Sequence, residues 1–368
     1  MILGLVIYIL EPSKVGVQHL TFLESYLQAF ISAKGLRSAF DINFVASKKT
    51  IAKLDKSKLS LVKLSSILVM DPLKKRLVFK TIVETWQVLR LMLKKNRDDK
   101  LFITCLLPTS LIMVEQINRL LKKRDVYVVL HGEIESLFDS SVQSVFRIGW
   151  WSRFWWKHRP VDSKIKLIVI DDFIENGLDN ICINSDTTVI HHPIIPLEKS
   201  KPEDLVTKVC FIGYRTKNKG YDEFIALAEK HPKLEFIAIG GEVIENIRTG
   251  EINILKTHND YLDAISSCQL ALFLYTDGYR ATLSAAALDA IKVGVPILSL
   301  NRPFFVSISE HLSDKLVVVR ENLTEVSKYL DEFQYSVRHK SESKSIILQS
   351  KYSVKAIAKS LDKIFLEN

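Results

Sequence analysis

Basic side chains follow a predicted strand in the second half of the chain. The apolar run in "VCFIGYRTKNKG" ends at Gly213, which permits a tight turn, and Arg215, Lys217 and Lys219 come just before the next predicted helix. Cations beside a helix N-terminus attract a diphosphate and stabilise negative charge that develops on a leaving group. The same residue types also occur on ordinary solvated loops, and the spacing alone does not separate the two interpretations.

A second candidate binding segment is "GYRATLSAAALDAIKVGVP". Thr282 and Ser284 come just before a predicted helix, whose first backbone N–H groups could bind phosphate or sugar together with these hydroxyls. The alanines at 285–287 either let a bulky ligand approach or pack closely against another helix. Asp289, further along the same helix, is either a ligand-binding carboxylate or a surface carboxylate.

Candidate acid–base residues lie in the first half of the chain, where "VYVVL" predicts a buried strand. His131, Glu133 and Glu135 follow this strand, and an imidazole is suitably basic near neutral pH to accept a proton from a reacting hydroxyl. Glu133 is a weaker candidate that spacing does not rank against Glu135, and His131 could instead be a structural residue at a strand end. Gly16 lies between the first strand and the first helix, where a turn can face a phosphate or an acceptor.

Four of the five tryptophans lie in "FRIGWWSRFWWKHRP", residues 146–160. Such a cluster could contact a membrane, stack on a sugar or nucleic acid, or belong to the core. At helical spacing Trp151, Phe154 and Trp155 share a face, which we expect to pack against the sheet. The remaining rings and cations have the composition of an interfacial membrane contact: Trp150, Trp156, Lys157 and Arg159.

Strand-like apolar runs alternate with helix-period segments along most of the chain. Continuous Val/Ile/Leu runs separated by helices are typical of parallel sheets that are covered on both faces, so we predict an α/β fold. The first helix is predicted to stop at Gly35, a long amphipathic helix to span 77–95, and the next helix to begin with Ser110 as its N-cap.

The pattern restarts after about residue 195, and "TTVIHHPIIPLEKSKPED" with its three prolines separates the two halves. We therefore predict two doubly wound domains, 1–192 and 193–345, that face each other across a cleft, and a C-terminal helix within 346–368 that packs back across the hinge. Adjacent histidines point apart on an extended chain, so we favour a hinge role for His191 and His192 over metal binding.

Composition narrows the classes of partner. The formal net charge of +9 favours an anionic partner, but no dense basic stripe or reader motif accompanies it, so nucleic acid is not predicted. No apolar run reaches the roughly 20 residues that span a bilayer. The four cysteines form no CxxC pair and lie beside apolar residues, as free thiols in a reducing compartment do. We expect a cytoplasmic protein, either soluble or peripheral on the inner face of the cell membrane.

The chain resembles a known enzyme family in two blocks of its second half. "VCFIGYRTKNKGYDEFIALAEKHPKLEFIAIGG" and "YLDAISSCQLALFLYTDGYRATLSAAALDAIKVGVPILSL" are similar to the donor-domain blocks of GT-B glycosyltransferases of the bacterial group 1, family 4-like superfamily. "YVVLHGE" resembles the acceptor-domain strand that ends in a histidine in that family. The resemblance spans nearly the whole chain, and it implies the GT-B fold, a nucleotide-diphosphate sugar as donor and no bound metal or other cofactor.

The family's motifs are partly altered in this chain. An Arg normally follows the glycine and a Lys comes five residues later, whereas here Arg215 is displaced by one position and Lys219 fits. In the family's Glu-x7-Glu motif the second Glu holds the donor ribose, and Asp289 takes its place while Ala281 replaces the first. The resemblance thus implies donor binding by Lys219, Arg215 and Asp289, and a place near the transferred sugar for His131.

The resemblance implies a glycosyltransferase that moves a sugar to a glycan or lipid-linked acceptor in bacterial surface polysaccharide biosynthesis. The loss of the first Glu leaves retention or inversion of the anomeric configuration open. Two alternatives remain at this point: a nucleotide-sugar epimerase of the same fold, and a non-catalytic, glycosyltransferase-like binding subunit.

Overall fold

The computed structural model describes residues 5–16, 19–70, 77–94, 98–121, 125–138, 148–158, 165–180, 187–197, 207–240, 242–276, 279–333 and 339–367. The chain divides into two compact units. The N-terminal unit comprises Met1–Pro193 and Val354–Asn368, and the C-terminal unit comprises Ile194–Ser353.

The N-terminal unit is built on a seven-stranded parallel sheet with the strand order β3-β2-β1-β4-β5-β6-β7. Its strands are β1 (Leu5–Leu10), β2 (Phe40–Ser47), β3 (Val62–Ile67), β4 (Lys100–Ile103), β5 (Val126–Val129), β6 (Ile165–Val169) and β7 (Thr187–Val189). Its first seven helices are α1 (Leu20–Ser32), α2 (Lys34–Ala39), α3 (Lys48–Ile51), α4 (Leu77–Lys94), α5 (Pro108–Leu120), α6 (Ile148–His158) and α7 (Asp172–Asn180).

The C-terminal unit repeats this plan with the strand order β11-β10-β9-β8-β12-β13-β14, in which β10 pairs antiparallel with both β9 and β11. Its strands are β8 (Lys208–Ile212), β9 (Glu235–Gly240), β10 (Val243–Asn246), β11 (Ile252–Ile254), β12 (Leu270–Phe273), β13 (Ile297–Leu300) and β14 (Val317–Arg320). Its helices are α8 (Tyr221–Lys230), α9 (His258–Ser266), α10 (Ala285–Lys292), α11 (Pro303–Leu312), α12 (Leu323–Glu332) and α13 (His339–Gln349). The last helix of the chain, α14 (Val354–Leu366), returns to the N-terminal unit.

Both sheets are doubly wound, which confirms the predicted α/β class. Strand β1 pairs with β2 on one side and β4 on the other, and β8 pairs with β9 and β12 in the same way. The strand order therefore reverses beside β1 and beside β8, and ligands of such sheets bind outside the carboxyl ends of the strands at this switch point. Short central strands such as β5 and β12 are buried along their whole length, because helices cover both faces of the sheet.

The prediction that the first helix stops at Gly35 is wrong. Helix α1 ends at Ser32, and α2 runs through Gly35. A Cβ at Gly35 would lie 2.9 Å from Leu366 Cδ1, and the neighbouring Leu36 backbone N–H donates to the Asp362 carboxylate at 2.7 Å. The glycine therefore serves the close approach of α14 rather than a helix end.

The prediction of Ser110 as an N-cap is also wrong. Helix α5 begins at Pro108, which suits the first helical position because its missing N–H would have no helical partner there. The Ser110 hydroxyl is buried and donates to the carboxylate of Glu84 at 2.7 Å.

In the part of the chain that the structure describes, no helix is long and apolar enough to cross a membrane.

Candidate functional site

The loop after β8 is shaped by glycines with positive φ. Gly213 has φ 120° and Gly220, the N-cap of α8, has φ 73°. A Cβ at Gly220 would lie 2.1 Å from the backbone oxygen of Leu274, and one at Gly240 would lie 2.3 Å from the oxygen of Gly213. The loop thus packs backbone-to-backbone on the ends of β9 and β12, which a side chain at either position would prevent.

Lys219 is held at the switch point of the C-terminal unit. A Cβ at Gly213 would lie 2.7 Å from the Lys219 Nζ, and this ammonium is 5.8 Å from the centre of the Tyr275 ring. Partial burial lowers the pKa of Lys219, and no carboxylate within the described ranges offsets that cost. A partly desolvated cation without a described acidic partner is suited to receive an anion.

Arg215 is differently placed from Lys219. Its guanidinium forms an ion pair with Glu245 Oε2 at 2.9 Å and lies 6.0 Å from the centre of the Tyr221 ring. Much of the Arg215 side chain remains exposed. Its charge is therefore already partly neutralised at the surface, whereas that of Lys219 is not.

Tyr275 connects three elements at this edge of the sheet, and sequence reasoning missed it. It follows β12, and its buried hydroxyl lies 2.7 Å from Ser284 Oγ at the start of α10. Its backbone oxygen accepts a hydrogen bond from Arg302 Nε at 2.7 Å, just after β13. Their position in the sequence could have identified them. Tyr275 and Arg302 come shortly after two apolar, strand-like runs, and the carboxyl ends of parallel strands meet at one edge of the sheet.

Ser284 fixes the start of α10. Its hydroxyl oxygen accepts a hydrogen bond from the Ala287 backbone N–H at 3.3 Å, which makes it the N-cap, and it also contacts the Tyr275 hydroxyl. Thr282 is half-buried in the loop that leads to the same helix. Both residues lie in the loop between β12 and α10, just before the helix, as the sequence predicted.

Asp289 is a buried carboxylate, so its interpretation as a surface residue is wrong. It is 8% exposed on α10, and burial raises its pKa to about 7 against a smaller opposing effect of Lys292. None of the described residues donates a hydrogen bond to it. Its charge also raises the pKa of Tyr261, which burial already places well above the ordinary value. A buried carboxylate without described donors is available to accept hydrogen bonds from a ligand.

Two buried carboxylates occupy the switch point of the N-terminal unit. Glu11, directly after β1, accepts hydrogen bonds from the backbone N–H groups of Ser13 and Lys14, each at 2.9 Å, and from the Thr104 hydroxyl at 2.8 Å. Glu84 accepts from the hydroxyls of Ser13 and Ser110 and lies 3.6 Å from the Lys80 ammonium. Burial nevertheless raises the pKa of Glu84.

His131 lies beside this carboxylate cluster, after β5. Its Nε2 is 2.7 Å from the Thr104 backbone oxygen, and since a carbonyl oxygen only accepts, Nε2 carries the proton and Nδ1 the lone pair. The ring centre is 4.8 Å from that of His19 and 4.7 Å from that of Phe22. Burial first, and then the charge of His19, hold the pKa of His131 well below its usual range, so the ring is neutral at physiological pH.

The other residues predicted for the N-terminal unit have varied environments. Gly16 has φ 69°, its N–H donates to the Thr50 hydroxyl at 3.1 Å, and an added Cβ would meet nothing within 4 Å. Glu135 is half-buried, and the side chain of Glu133 lies outside the described residues. His131, Gly16 and Glu11 thus all lie in loops at the carboxyl edge of the sheet.

The tryptophan cluster divides differently from the prediction. Trp155 belongs to the core, where its indole N–H donates to Glu115 Oε2 at 2.6 Å. Phe154, expected in the core, is instead 37% exposed and stacks on Trp150 with ring centres 5.2 Å apart. Trp156 is half-buried and Lys157 exposed, while Arg159 lies outside the described residues. The buried face of α6 is therefore narrower than helical spacing suggested, and the helix packs against α5.

One cluster has the donor types of a metal site. Single ligand atoms of Asp171, Asp172 and His191 lie within 4.8 Å of one another, and the His191 Nε2 is 3.1 Å from the Asp172 carboxylate. The Asp171 carboxylate also accepts from the Phe173 backbone N–H at 3.4 Å, as a helix-capping residue does. The Asp171 carboxylate therefore has a structural contact at the start of α7.

No protein-family model and no curated protein sequence matches the chain. Solved structures do. Sucrose-phosphate synthase from Thermosynechococcus elongatus matches with a TM-score of 0.67 at 11% identity, over 98% of this chain and 98% of that one. TarM matches with a TM-score of 0.66 at 10% identity, over 99% of each chain.

HepE from Anabaena, solved in complex with UDP and glucose, matches with a TM-score of 0.65 at 12% identity, over 99% of this chain and 100% of that one. At such low identity these matches show the fold rather than the role of any residue. The chain has the GT-B fold, as predicted.

Proposed function

We propose that the protein is a glycosyltransferase that moves a sugar from a nucleotide-diphosphate sugar to a hydroxyl of an acceptor. The observation that carries this proposal is the Lys219 ammonium, which lies against Gly213 at the switch point without a described acidic partner. A cation in this position, beside the start of α8, is suited to a diphosphate whose charge grows as the sugar leaves. HepE, which shares the fold, was solved with UDP and glucose bound.

The donor nucleoside has a candidate partner in Asp289. As a carboxylate, this residue can accept hydrogen bonds from both ribose hydroxyls, and the described residues offer it no other donor. Its pKa of about 7 means that the ionised form, which accepts two such bonds, becomes dominant only above neutral pH. Arg215 contributes less in this proposal, because its charge is shared with Glu245.

His131 is the proposed general base. The hydrogen bond from Nε2 to the Thr104 backbone oxygen fixes the tautomer and the ring's orientation, so Nδ1 is the nitrogen that would take up a proton in this proposal. Its depressed pKa keeps it unprotonated, and therefore able to accept the proton of an acceptor hydroxyl, throughout the physiological range. Whether the anomeric configuration is retained or inverted stays open, since Ala281 stands where the family's first Glu would be.

The acceptor that we propose is a glycan or a lipid-linked glycan of bacterial surface polysaccharide biosynthesis, met at the inner face of the cell membrane. The net charge of +9 and the aromatic, basic composition of the N-terminal half support an anionic surface as a partner. No step of the proposed transfer uses a metal or an organic cofactor, and nucleic acid is not a proposed partner. Chelation by EDTA should therefore leave the turnover unchanged.

The test separates donor binding from chemistry. A panel of nucleoside diphosphates is titrated by calorimetry, and the matching nucleotide sugars are then assayed for turnover with membrane glycolipid extracts. We expect one base to bind selectively, Lys219→Ala to lose that binding, and His131→Ala to keep binding while losing turnover. Absence of binding by the wild type at millimolar concentration would rule out the proposal.

Other outcomes would favour the two alternatives. Conversion of the donor sugar to its epimer without an acceptor would identify a nucleotide-sugar epimerase. Selective nucleotide binding that leads to no turnover, with His131→Ala indistinguishable from the wild type, would favour a binding subunit.

A further inference from the structure

Helix α4 exposes an apolar face to solvent. Five large apolar side chains on its surface are each between 54% and 74% exposed: Val78, Phe79, Ile82, Trp86 and Leu93. At 100° per residue they fall on one stripe, opposite the buried positions of the helix. Scattered exposed apolar residues are ordinary, but a continuous stripe of this kind marks a surface that is covered in the working protein.

Four polar side chains of α4, including Thr85, lie on its inner face, whereas Arg90 is exposed. Glu84, Lys80 and Gln87 are all buried, and Glu84 binds the hydroxyls of Ser13 and Ser110. The inner face of the helix therefore combines these polar groups with the buried side chains of Val88 and Met92, whereas its outer face is mostly apolar. The helix therefore contacts a polar cluster on its inner side and exposes apolar side chains on its outer side.

The helices beside α4 also carry exposed apolar side chains. Helix α5 packs against α4, and α6 packs against α5, so the three form one layer of the N-terminal unit. Exposed apolar side chains occur on both neighbours as well: Met113, Leu120 and Phe154. We call the five exposed side chains of α4 the apolar stripe, and it is the densest part of this layer.

The charge of this region selects the partner. Arg90 is the one charged residue among the exposed, described positions of α4. In the sequence, basic runs at 74–76 and 94–97 flank the helix. The N-terminal unit holds 31 Lys and Arg against 21 Asp and Glu, a net charge of +10, whereas the C-terminal unit holds 20 against 21, a net charge of −1.

We propose that the apolar stripe of α4 docks on an anionic lipid bilayer, with the helix lying in the plane of the interface. Tryptophan and phenylalanine suit the headgroup boundary, aliphatic side chains enter the acyl region, and basic residues meet anionic headgroups. A second copy of this chain fits less well, because a two-fold interface would bring the Arg90 side chains and the basic flanks together. The docking surface is independent of the proposed transfer activity, so either can fail without the other.

The experiment is cosedimentation with vesicles of phosphatidylcholine, with and without phosphatidylglycerol. We expect the wild type to bind the anionic vesicles and to release them as salt is raised. The paired change Phe79→Glu with Trp86→Glu should weaken binding by about a hundredfold, since each large apolar side chain contributes about tenfold to partitioning. Both residues are exposed, so the folded protein should tolerate the charges.

A matched control lies in the C-terminal unit. Ile252 and Ile254 are 58% and 74% exposed, and the pair Ile252→Glu with Ile254→Glu should leave vesicle binding unchanged. Trp86→Phe gives a second readout, because it keeps the apolar stripe but should remove most of the fluorescence quenching that brominated lipids cause.

Three results would overturn the proposal: wild-type protein that does not bind anionic vesicles, glutamate variants that bind as the wild type does, or quenching that Trp86→Phe leaves unchanged. A wild-type dimer that the Phe79→Glu, Trp86→Glu variant converts to a monomer, measured by light scattering without lipid, would assign the stripe to a second copy instead. Nucleotide titration of the same variants reports separately on the donor site and should not change.

Discussion

The two units differ in the ionisable side chains that they place at the switch point of the same kind of sheet. In the N-terminal unit the switch point holds the carboxylates of Glu11 and Glu84, each surrounded by hydrogen-bond donors. In the C-terminal unit it holds the ammonium of Lys219, which none of the described carboxylates approaches. The strand order thus fixes where a ligand can bind, and the few residues after the central strand decide its charge.

The two loops are also stabilised by different means. Gly213, Gly220 and Gly240 let the backbone of the C-terminal loop contact neighbouring strand ends at distances that no side chain allows. The N-terminal loop is held by side chains, and its Gly16 faces open space. The C-terminal loop should therefore be rigid and intolerant of substitution, whereas the N-terminal loop should tolerate backbone change but depend on its hydrogen bonds.

The largest effect is expected for Gly220→Ala. The new Cβ would meet the Leu274 backbone oxygen at 2.1 Å, and alanine would also have to adopt a positive φ. Overpacking and backbone strain together should lower the free energy of unfolding of the C-terminal unit by about 3–5 kcal/mol, measured by urea denaturation.

Gly16→Ala is the matched change in the N-terminal unit. Its φ of 69° is nearly that of Gly220, but the space around it is open. The cost should therefore be the backbone strain alone, about 1 kcal/mol. Equal effects of the two substitutions would show that positive φ, and not the close backbone approach, distinguishes the loops.

The next effect concerns the buried charge of Asp289. Its folded-state pKa of about 7 lies above the ordinary value of 3.8, so between these pH values the folded protein holds a proton that the unfolded chain has lost. Stability must then fall as pH rises through this window and become constant above it. Asp289→Asn should remove this fall. The free energy of unfolding of the variant minus that of the wild type should therefore be about 2–4 kcal/mol larger at pH 8 than at pH 4.

Thermal or urea denaturation of both proteins across this pH range measures the difference. Asp289 and Glu11 differ in their hydrogen bonds: the buried carboxylate of Glu11 has three donors, and Asp289 has none that is described. Identical pH profiles for the wild type and Asp289→Asn would mean that the carboxylate is solvated or paired in solution.

The two cations of the loop after β8 should differ in how much they contribute to the affinity for a nucleoside diphosphate. Lys219→Ala should weaken binding of the selected nucleoside diphosphate by about 10- to 100-fold, because it removes a partly desolvated charge from the proposed phosphate site. Arg215→Ala should weaken it by about threefold or less, since a surface cation that is already paired contributes little. Calorimetric titration checks both, and the reverse ranking would move the phosphate site toward β10.

The sequence was sufficient for features that depend on local pattern. Continuous apolar runs identify the buried strands, and position after a strand predicts that Lys219 and His131 lie beyond the carboxyl ends of β8 and β5. Each of these inferences uses only the spacing of residues within one βα unit, and the parallel sheet converts that spacing into position.

Features that depend on distant parts of the chain could not be predicted. Gly35 resembles a helix stop until α14, over 300 residues later in the sequence, is known to pack against it, where the Asp362 carboxylate accepts a hydrogen bond from the Leu36 backbone N–H. Ser110 resembles an N-cap until Glu84 is known to lie beside it. Periodicity shows that α4 has two faces, but only the fold shows that Lys80, Glu84 and Gln87 lie inside, because nothing local reveals the partner of each face.

The smallest effect tests whether the hydrogen bonds of the N-terminal switch point are separate from donor binding. Ser13 is buried, and its hydroxyl donates to Glu84 while its backbone N–H donates to Glu11. Ser13→Ala should lower the free energy of unfolding by about 1 kcal/mol, because the Glu84 carboxylate loses one donor and keeps the Ser110 hydroxyl. Ser38→Ala, at an exposed hydroxyl of the same unit, should have almost no effect. Nucleoside diphosphate affinity should be unchanged in both variants. If Ser13→Ala instead weakened that affinity as strongly as Lys219→Ala, the carboxylate cluster would be part of the donor site. The two units would then not bind separate substrates.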